Sequence, residues 1–210
     1  MLADGLALMG PVEIIGLAGS ISLLAGWRLY LCVFVVGLGM HLGWFALPDQ
    51  LHALDVLANP WVIGIAAVGA VAEFLADKVM WIDSAWDAVH TLVRPVGGAL
   101  LALAIVDPHS PAWQVAVLLL GGGATLLTHG AKAGTRAVVN ASPEPVSNAV
   151  VSTGEDVMTA GLLALVTAFP AVAIAVAVVL LAGAVAAVLV LRRLLRRLFG
   201  ARAAPAPPGG

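Results

Sequence analysis

Residues 83–106 read DSAWDAVHTLVRPVGGALLALAIV: Asp83, Asp87, His90 and Arg94 fill the first half, and nothing polar follows Pro95. The four residues fall at i, i+4, i+7 and i+11. At about 100° per residue they stay within about 60° of one line down a helix. The segment is therefore a helix with a polar stripe on one half and an apolar cylinder for the other. The same spacing returns in Thr125, His129, Lys132 and Arg136, and again in Asn148, Ser152, Glu155 and Thr159. Charge in or beside a bilayer is costly unless it faces protein, water or a ligand, so three such stripes point to a functional site in a membrane protein.

The rest of the chain agrees with that setting. Its 210 residues are 61% hydrophobic and only 10% charged, with a mean hydropathy of +1.05, whereas soluble domains carry about 25% charged residues. This predicts an all-α, polytopic transmembrane helical bundle. The apolar stretches are residues 9–26, 29–47, 61–80, 95–106, 112–130, 157–169 and 171–191, giving about seven spans. A simple span needs about 20 residues. Two stretches fall short of that and cross only by recruiting their polar N-terminal halves, Ala85–Arg94 and Val146–Asp156, which makes them half-polar helices.

Orientation follows from the ten Lys and Arg residues. With seven spans and the N-terminus outside, all ten land on one side, which the enrichment of basic residues in cytoplasmic loops makes the cytoplasm. Arg28 then lies between spans 1 and 2, Lys78 and Arg94 between 3 and 4, Lys132 and Arg136 between 5 and 6, and the arginines from Arg192 onward after span 7. The opposite loops carry Asp49, His52, Asp55, Asp107 and His109. Trp27, Trp44, Trp61, Trp81 and Trp113 sit at span ends, where indole prefers the headgroup level. Trp86 lies inside the polar half-helix. Residues 1–10 lack the basic region of a signal peptide and read as mature sequence. Cys32, the single cysteine, reads as a small buried apolar residue. Nothing supports nucleic-acid binding.

Residues 1–194 form one transmembrane domain in this reading, with polar hairpins at 61–106 and 112–169 and a lipid-facing anchor helix at 171–191. Residues 195–210 form a basic, then Pro- and Gly-rich, disordered cytoplasmic tail. The two hairpins make a weak parallel internal repeat. Each has an apolar helix ending in ionisable residues, a turn at Asp83-Ser84 or at Ser142-Pro143-Glu144-Pro145, a polar half-helix, and a short apolar half. Short or interrupted hydrophobic segments at matching positions of two halves point to a transporter's binding site.

Three chemistries compete for the charged residues. Arg94, His129, Lys132 and Arg136, with Asn148 and Ser152, make a cationic and hydrogen-bonding face for an anionic group, Arg by bidentate geometry and Lys as a point charge. Glu73, Asp77, Lys78, Asp87, Glu155 and Asp156 suit proton coupling or a bracing ion-pair network. Asp83, Asp87 and His90 offer oxygen and nitrogen ligands to a divalent cation. Ser142 is placed to cap the helix that starts at Pro143, and Gly121-Gly122-Gly123 lies in an apolar span where it permits close helix contact. No nucleophile elbow, HExxH, CxxC or Walker motif is present, so neither an enzyme nor a cofactor is expected.

At these residues the chain resembles an uncharacterised family of bacterial membrane proteins, domain of unknown function 4126. The resemblance rests on Glu73-Phe-Leu-Ala-Asp-Lys78, Asp83-Ser-Ala-Trp-Asp-Ala-Val-His-Thr91 with Arg94-Pro95, His129-Gly-Ala-Lys-Ala-Gly-Thr-Arg136, Asn140-Ala-Ser-Pro-Glu-Pro145, Ser147-Asn148 and Glu155-Asp156. It covers about residues 15–170, implies a multi-span bacterial inner-membrane protein with a cytoplasmic C-terminus on the charge argument above, and supplies no activity. The leading expectation is a small secondary transporter or lipid-headgroup carrier with a charged, cytoplasm-facing cavity. That cavity would bind a small anionic substrate or headgroup, with proton coupling. A non-transporting structural or assembly protein and a divalent-cation site or channel are the alternatives. The partner is the lipid bilayer, and a homo-oligomer is compatible with this reading.

Overall fold

The computed structural model describes residues 9–44, 49–106, 109–140 and 145–200. Among these the protein is helical throughout: α1 (Pro11–His41), a 3-10 segment (Asp49–Ala58), α2 (Pro60–Ala76), α3 (Met80–Val106), α4 (Pro111–Asn140), α5 (Pro145–Ala168), a 3-10 turn (Pro170–Val172) and α6 (Ala173–Gly200). Proline opens α1, α2, α4 and α5, the position where its fixed φ suits a helix and its missing N–H costs nothing. Asn59 caps α2 by accepting from the Trp61 N–H at 2.9 Å. The two half-polar helices run unbroken, α3 for 27 residues and α5 for 24.

α1 packs on each of the other five helices and holds most of the apolar core, including Leu17, Ile21, Leu24, Cys32 and Val36. It is not straight. Arg28 has φ −144° and ψ 75°, outside the helical region, and divides α1 into two limbs. Ser22, in the first limb, donates to the Gly98 carbonyl at 3.2 Å. Leu29, in the second, packs on Gly97, and Val33 faces the same apolar pocket as Leu101 and Ala104. Both limbs therefore run from Arg28 toward the apolar half of α3, and the chain bends back on itself. At its two ends Gly16 lies against Ala173 and Ile174 of α6 while Gly37 lies against the Leu57 carbonyl. The first two apolar stretches read from sequence fall on these two limbs of one bent helix, which counts as a single candidate membrane segment.

Small residues let the helices close up. A β-carbon on Gly26 would fall on Thr128, and one on Gly98 on Thr125. Gly121 faces Ala102 in the same tight α3–α4 contact, the close approach expected of the glycine run. Thr125 and Thr128 return the contact by donating to the Ser22 and Leu23 carbonyls at 2.7 and 2.8 Å, so α1 and α4 are joined by hydrogen bonds as well as packing.

Among the described residues, five helical segments are long and apolar enough to cross a membrane: Pro11–His41, Trp81–Val106, Pro111–Val138, Ala149–Ala168 and Pro170–Arg197. α2, at 17 residues, is shorter. The apolar side chains facing outward, such as Ile65, Val68, Leu92, Leu119 and Val179, are those a bilayer would solvate. The protein is a multi-pass membrane protein. Trp44, Trp61, Trp81 and Trp113 are exposed at helix ends, as headgroup anchors would be. Trp27 instead packs partly against the core. α6 lies mostly exposed, including Arg192, Arg193, Arg196 and Arg197. Ser142, Pro143 and the tail 201–210 lie outside the described residues.

Candidate functional site

The bend at Arg28 is where the charges meet. Its guanidinium, 1% exposed, pairs with Asp77, with Asp156 at 2.8 Å through Nε and with Glu155 at 3.4 Å through Nη2, and it donates to the Ser152 carbonyl and hydroxyl, each at 3.2 Å. A fork of five N–H donors in fixed geometry is the side chain best suited to join several carboxylates. From sequence, Arg28 marks only a cytoplasmic turn, and its role at the site goes unread. The available signal is its isolation: it is the sole basic residue before Lys78.

Asp77, which ends α2, is fully buried. One carboxylate oxygen takes Arg28, Arg136 at 3.1 Å and Lys132 at 3.4 Å. Burial pushes this carboxyl up, but Lys132, Arg28 and Arg136 together outweigh it and hold the group below the usual carboxylate range. Beside it Lys78, over the Phe74 ring at 4.0 Å, donates to Ser152 at 2.8 Å. Partial burial lowers its ammonium pKa.

Glu73, one turn earlier on α2 and 1% exposed, accepts from Arg94 through Oε1 and lies 3.9 Å from Lys132. Arg94 also reaches Asp87 at 3.2 Å and donates to His129 Nδ1 at 2.5 Å. Arg has no acceptor, so Nδ1 must accept, and the proton of neutral His129 sits on Nε2. That N–H faces Thr91 Oγ1 at 3.0 Å and the Asp87 carbonyl at 3.2 Å. Arg136 closes the ring by meeting Glu155 at 3.1 Å.

The three stripes thus converge, through α1, on one cluster. Arg94, His129, Lys132, Arg136 and Ser152 stand with Glu73, Asp77, Asp87, Glu155 and Asp156. Asn148 lies on α5 with its side chain outside the described part. Thr125 turns to α1 instead, and Thr159 is buried with no hydrogen-bond partner for its hydroxyl.

The expected cation ligands do not gather. His90 Nδ1 donates to the Trp86 carbonyl at 2.7 Å, and Nε2 faces the Tyr30 hydroxyl at 3.1 Å. The imidazole also stacks on Trp86 with centroids 4.3 Å apart. Asp87 is taken by Arg94, and Asp83 is buried. Among the described residues no group of three or more His, Cys, Asp or Glu is placed to hold a metal ion. Trp86 packs with His90 and Tyr30 instead of lining the charge cluster.

One side of the cluster is reached by a cavity of about 460 Å³ between α2, α5 and the second limb of α1. Arg28, Glu73 and Asp156 stand at one end, and Leu31, Phe34, Ala67 and Ala160 line the rest. Each of these two acids keeps one carboxylate oxygen, Glu73 Oε2 and Asp156 Oδ2, buried without a hydrogen-bond partner.

Fold and site together define a polytopic helical membrane protein with a buried charge cluster. A family model described as "Domain of unknown function (DUF4126)" matches residues 15–192, and the chain belongs to that family. The match runs from the first limb of α1 into α6 and takes in every charged residue of the cluster. No curated protein and no solved structure matches the chain.

Proposed function

We propose that this protein is a small secondary carrier that admits a charged headgroup from the side to the cluster at the Arg28 bend. The observation that carries this is the cavity joining an apolar wall to the buried charges at Arg28, Glu73 and Asp156. A cluster of this kind is a poor means of adding stability, since well-packed apolar side chains often replace a whole buried ion pair at no cost. Its retention at membrane depth is better explained by charges that change partner. A charged headgroup would enter by taking the place of one member of a pair such as Glu73–Arg94 or Asp77–Lys132, the pairs that hold these charges when the site is empty. Glu73, Asp77, Asp87 and Glu155 would then be the groups that take up or release a proton as substrate binds.

The one-sided gathering of Arg28, Lys78, Arg94, Lys132 and Arg136, and the packing of Leu191 on Gly134 at the same end as the α6 arginines, support a cytoplasmic C-terminus in a bacterial inner membrane. The competing reading is a bracing network, favoured by the carboxylate already held by each of Arg28, Arg94, Lys132 and Arg136. Proteoliposomes with an internal pH dye separate the two. A carrier moves protons when charged amphiphiles or small anions are added, and Glu73→Gln stops the flux while the protein still elutes as folded. If no added solute moves protons and the variant only lowers the unfolding temperature, the cluster is a brace.

A further inference from the structure

We infer that the groove between α2 and α5 binds a single-chain amphiphile with a primary ammonium head. This rests on the carrier reading and names its substrate class. The three walls run in step: Arg28, Glu73 and Asp156 stand together at one end, and the second limb, α2 and α5 carry apolar residues away from them. A molecule that fills the groove therefore has one polar end and one apolar chain.

The sign of the head follows from what the polar end lacks. Arg28 is committed to Asp77, Glu155 and Asp156, so no cation lining the groove is left without a carboxylate. Glu73, 1% exposed, has Oε2 buried with no donor, and Asp156, whose side chain is 23% exposed, likewise has Oδ2 buried with no donor. A buried acceptor without a partner costs about 1–3 kcal/mol, more when charged, and both belong to side chains that line the polar end of the groove. Of the ionisable side chains lining the groove, one is basic and two are acidic. An ammonium, with three donors and no acceptor, supplies what both oxygens need. A sulfate or phosphate head would face them acceptor to acceptor. The cavity of about 460 Å³ has room for one chain, and its apolar wall matches a ligand that arrives from the bilayer.

The test is the unfolding temperature of the protein in phosphatidylcholine nanodiscs, with decylammonium, decyl sulfate and decanol as probes. Decylammonium should raise it in a saturable way, and the other two should not. Ala67→Leu, which narrows the groove without touching a charge, should abolish the rise, as should Glu73→Gln, which puts a donor where the acceptor was. An equal rise with decanol, an undiminished rise in Ala67→Leu, or no rise with decylammonium overturns the assignment. So does phosphatidylethanolamine in the disc matching the decylammonium effect, which would make the ligand a two-chain lipid. A rise with decyl sulfate alone overturns the ammonium head and leaves an anion carrier. Binding of decylammonium without any proton flux keeps the site and removes the carrier.

Discussion

Arg28 and Asp77 form a fully buried ion pair that ties the bend of α1 to the end of α2. The two residues are 49 positions apart, and neither has an alternative partner in solvent. Truncating one member of such a pair costs about 3–5 kcal/mol, most of it from the charge left behind. Arg28→Leu should destabilise the protein by about that amount, and the loss in the Arg28→Leu, Asp77→Asn double variant should be smaller than the sum of the two single losses. Reversible unfolding in mixed micelles measures the cycle. Additive losses would mean the pair contributes nothing of its own.

Helix spacing gives a second expectation. Gly98→Ala drives a β-carbon into Thr125, and Gly26→Ala drives one into Thr128 and the α4 backbone, so each should cost about 1–3 kcal/mol. Gly154 and Gly161 have open space at the same position. Alanine there should be neutral or should stabilise by up to about 1 kcal/mol. The unfolding midpoints of the four variants should split into these two pairs.

The depressed pKa of Asp77 fixes a pH dependence. Its unfolded value is about 3.9 and the folded value lies lower, so the stability it confers is complete above that unfolded value and is lost as pH falls through the folded one. Thermal unfolding from about pH 5 downward should show a decline that is shallower in Asp77→Asn. Equal slopes would remove Asp77 as the source.

Topology is tested by reporters. A tag after Arg202 should be accessible from the cytoplasm and one between Pro108 and Pro111 from the other face, because the seven-span reading of the sequence puts all ten Lys and Arg on one side. Both tags on one side would contradict the orientation.

Periodicity made the helices and their polar faces readable. The i, i+4, i+7, i+11 pattern fixed which side of α3, α4 and α5 turns inward, and the short apolar runs after Arg94 and Asp156 showed that their polar halves belong to the helices. The pattern specifies a face but not the depth or rotation of one helix against another, so it could not say that Asp77 would take Lys132 and Arg136 while Glu73 took Arg94. Arg28 read as a loop because it ends one apolar run and precedes the next, and a break confined to one residue carries no proline signature. His90 read as a ligand because Tyr30, which faces its second nitrogen, is 60 residues distant.

The bend in α1 bears on how the chain enters the bilayer. Each limb is shorter than the about 20 residues of a simple span, and the tip between them carries a permanent positive charge whose carboxylates belong to α2 and α5. α1 therefore cannot settle at its final depth when it leaves the ribosome. Asp77 reaches the tip first, and Glu155 and Asp156 reach it only after α5 has been made. The insertion of α1 is complete only once α5 has been made, and a chain halted before α5 would hold Arg28 with only part of its counter-charge.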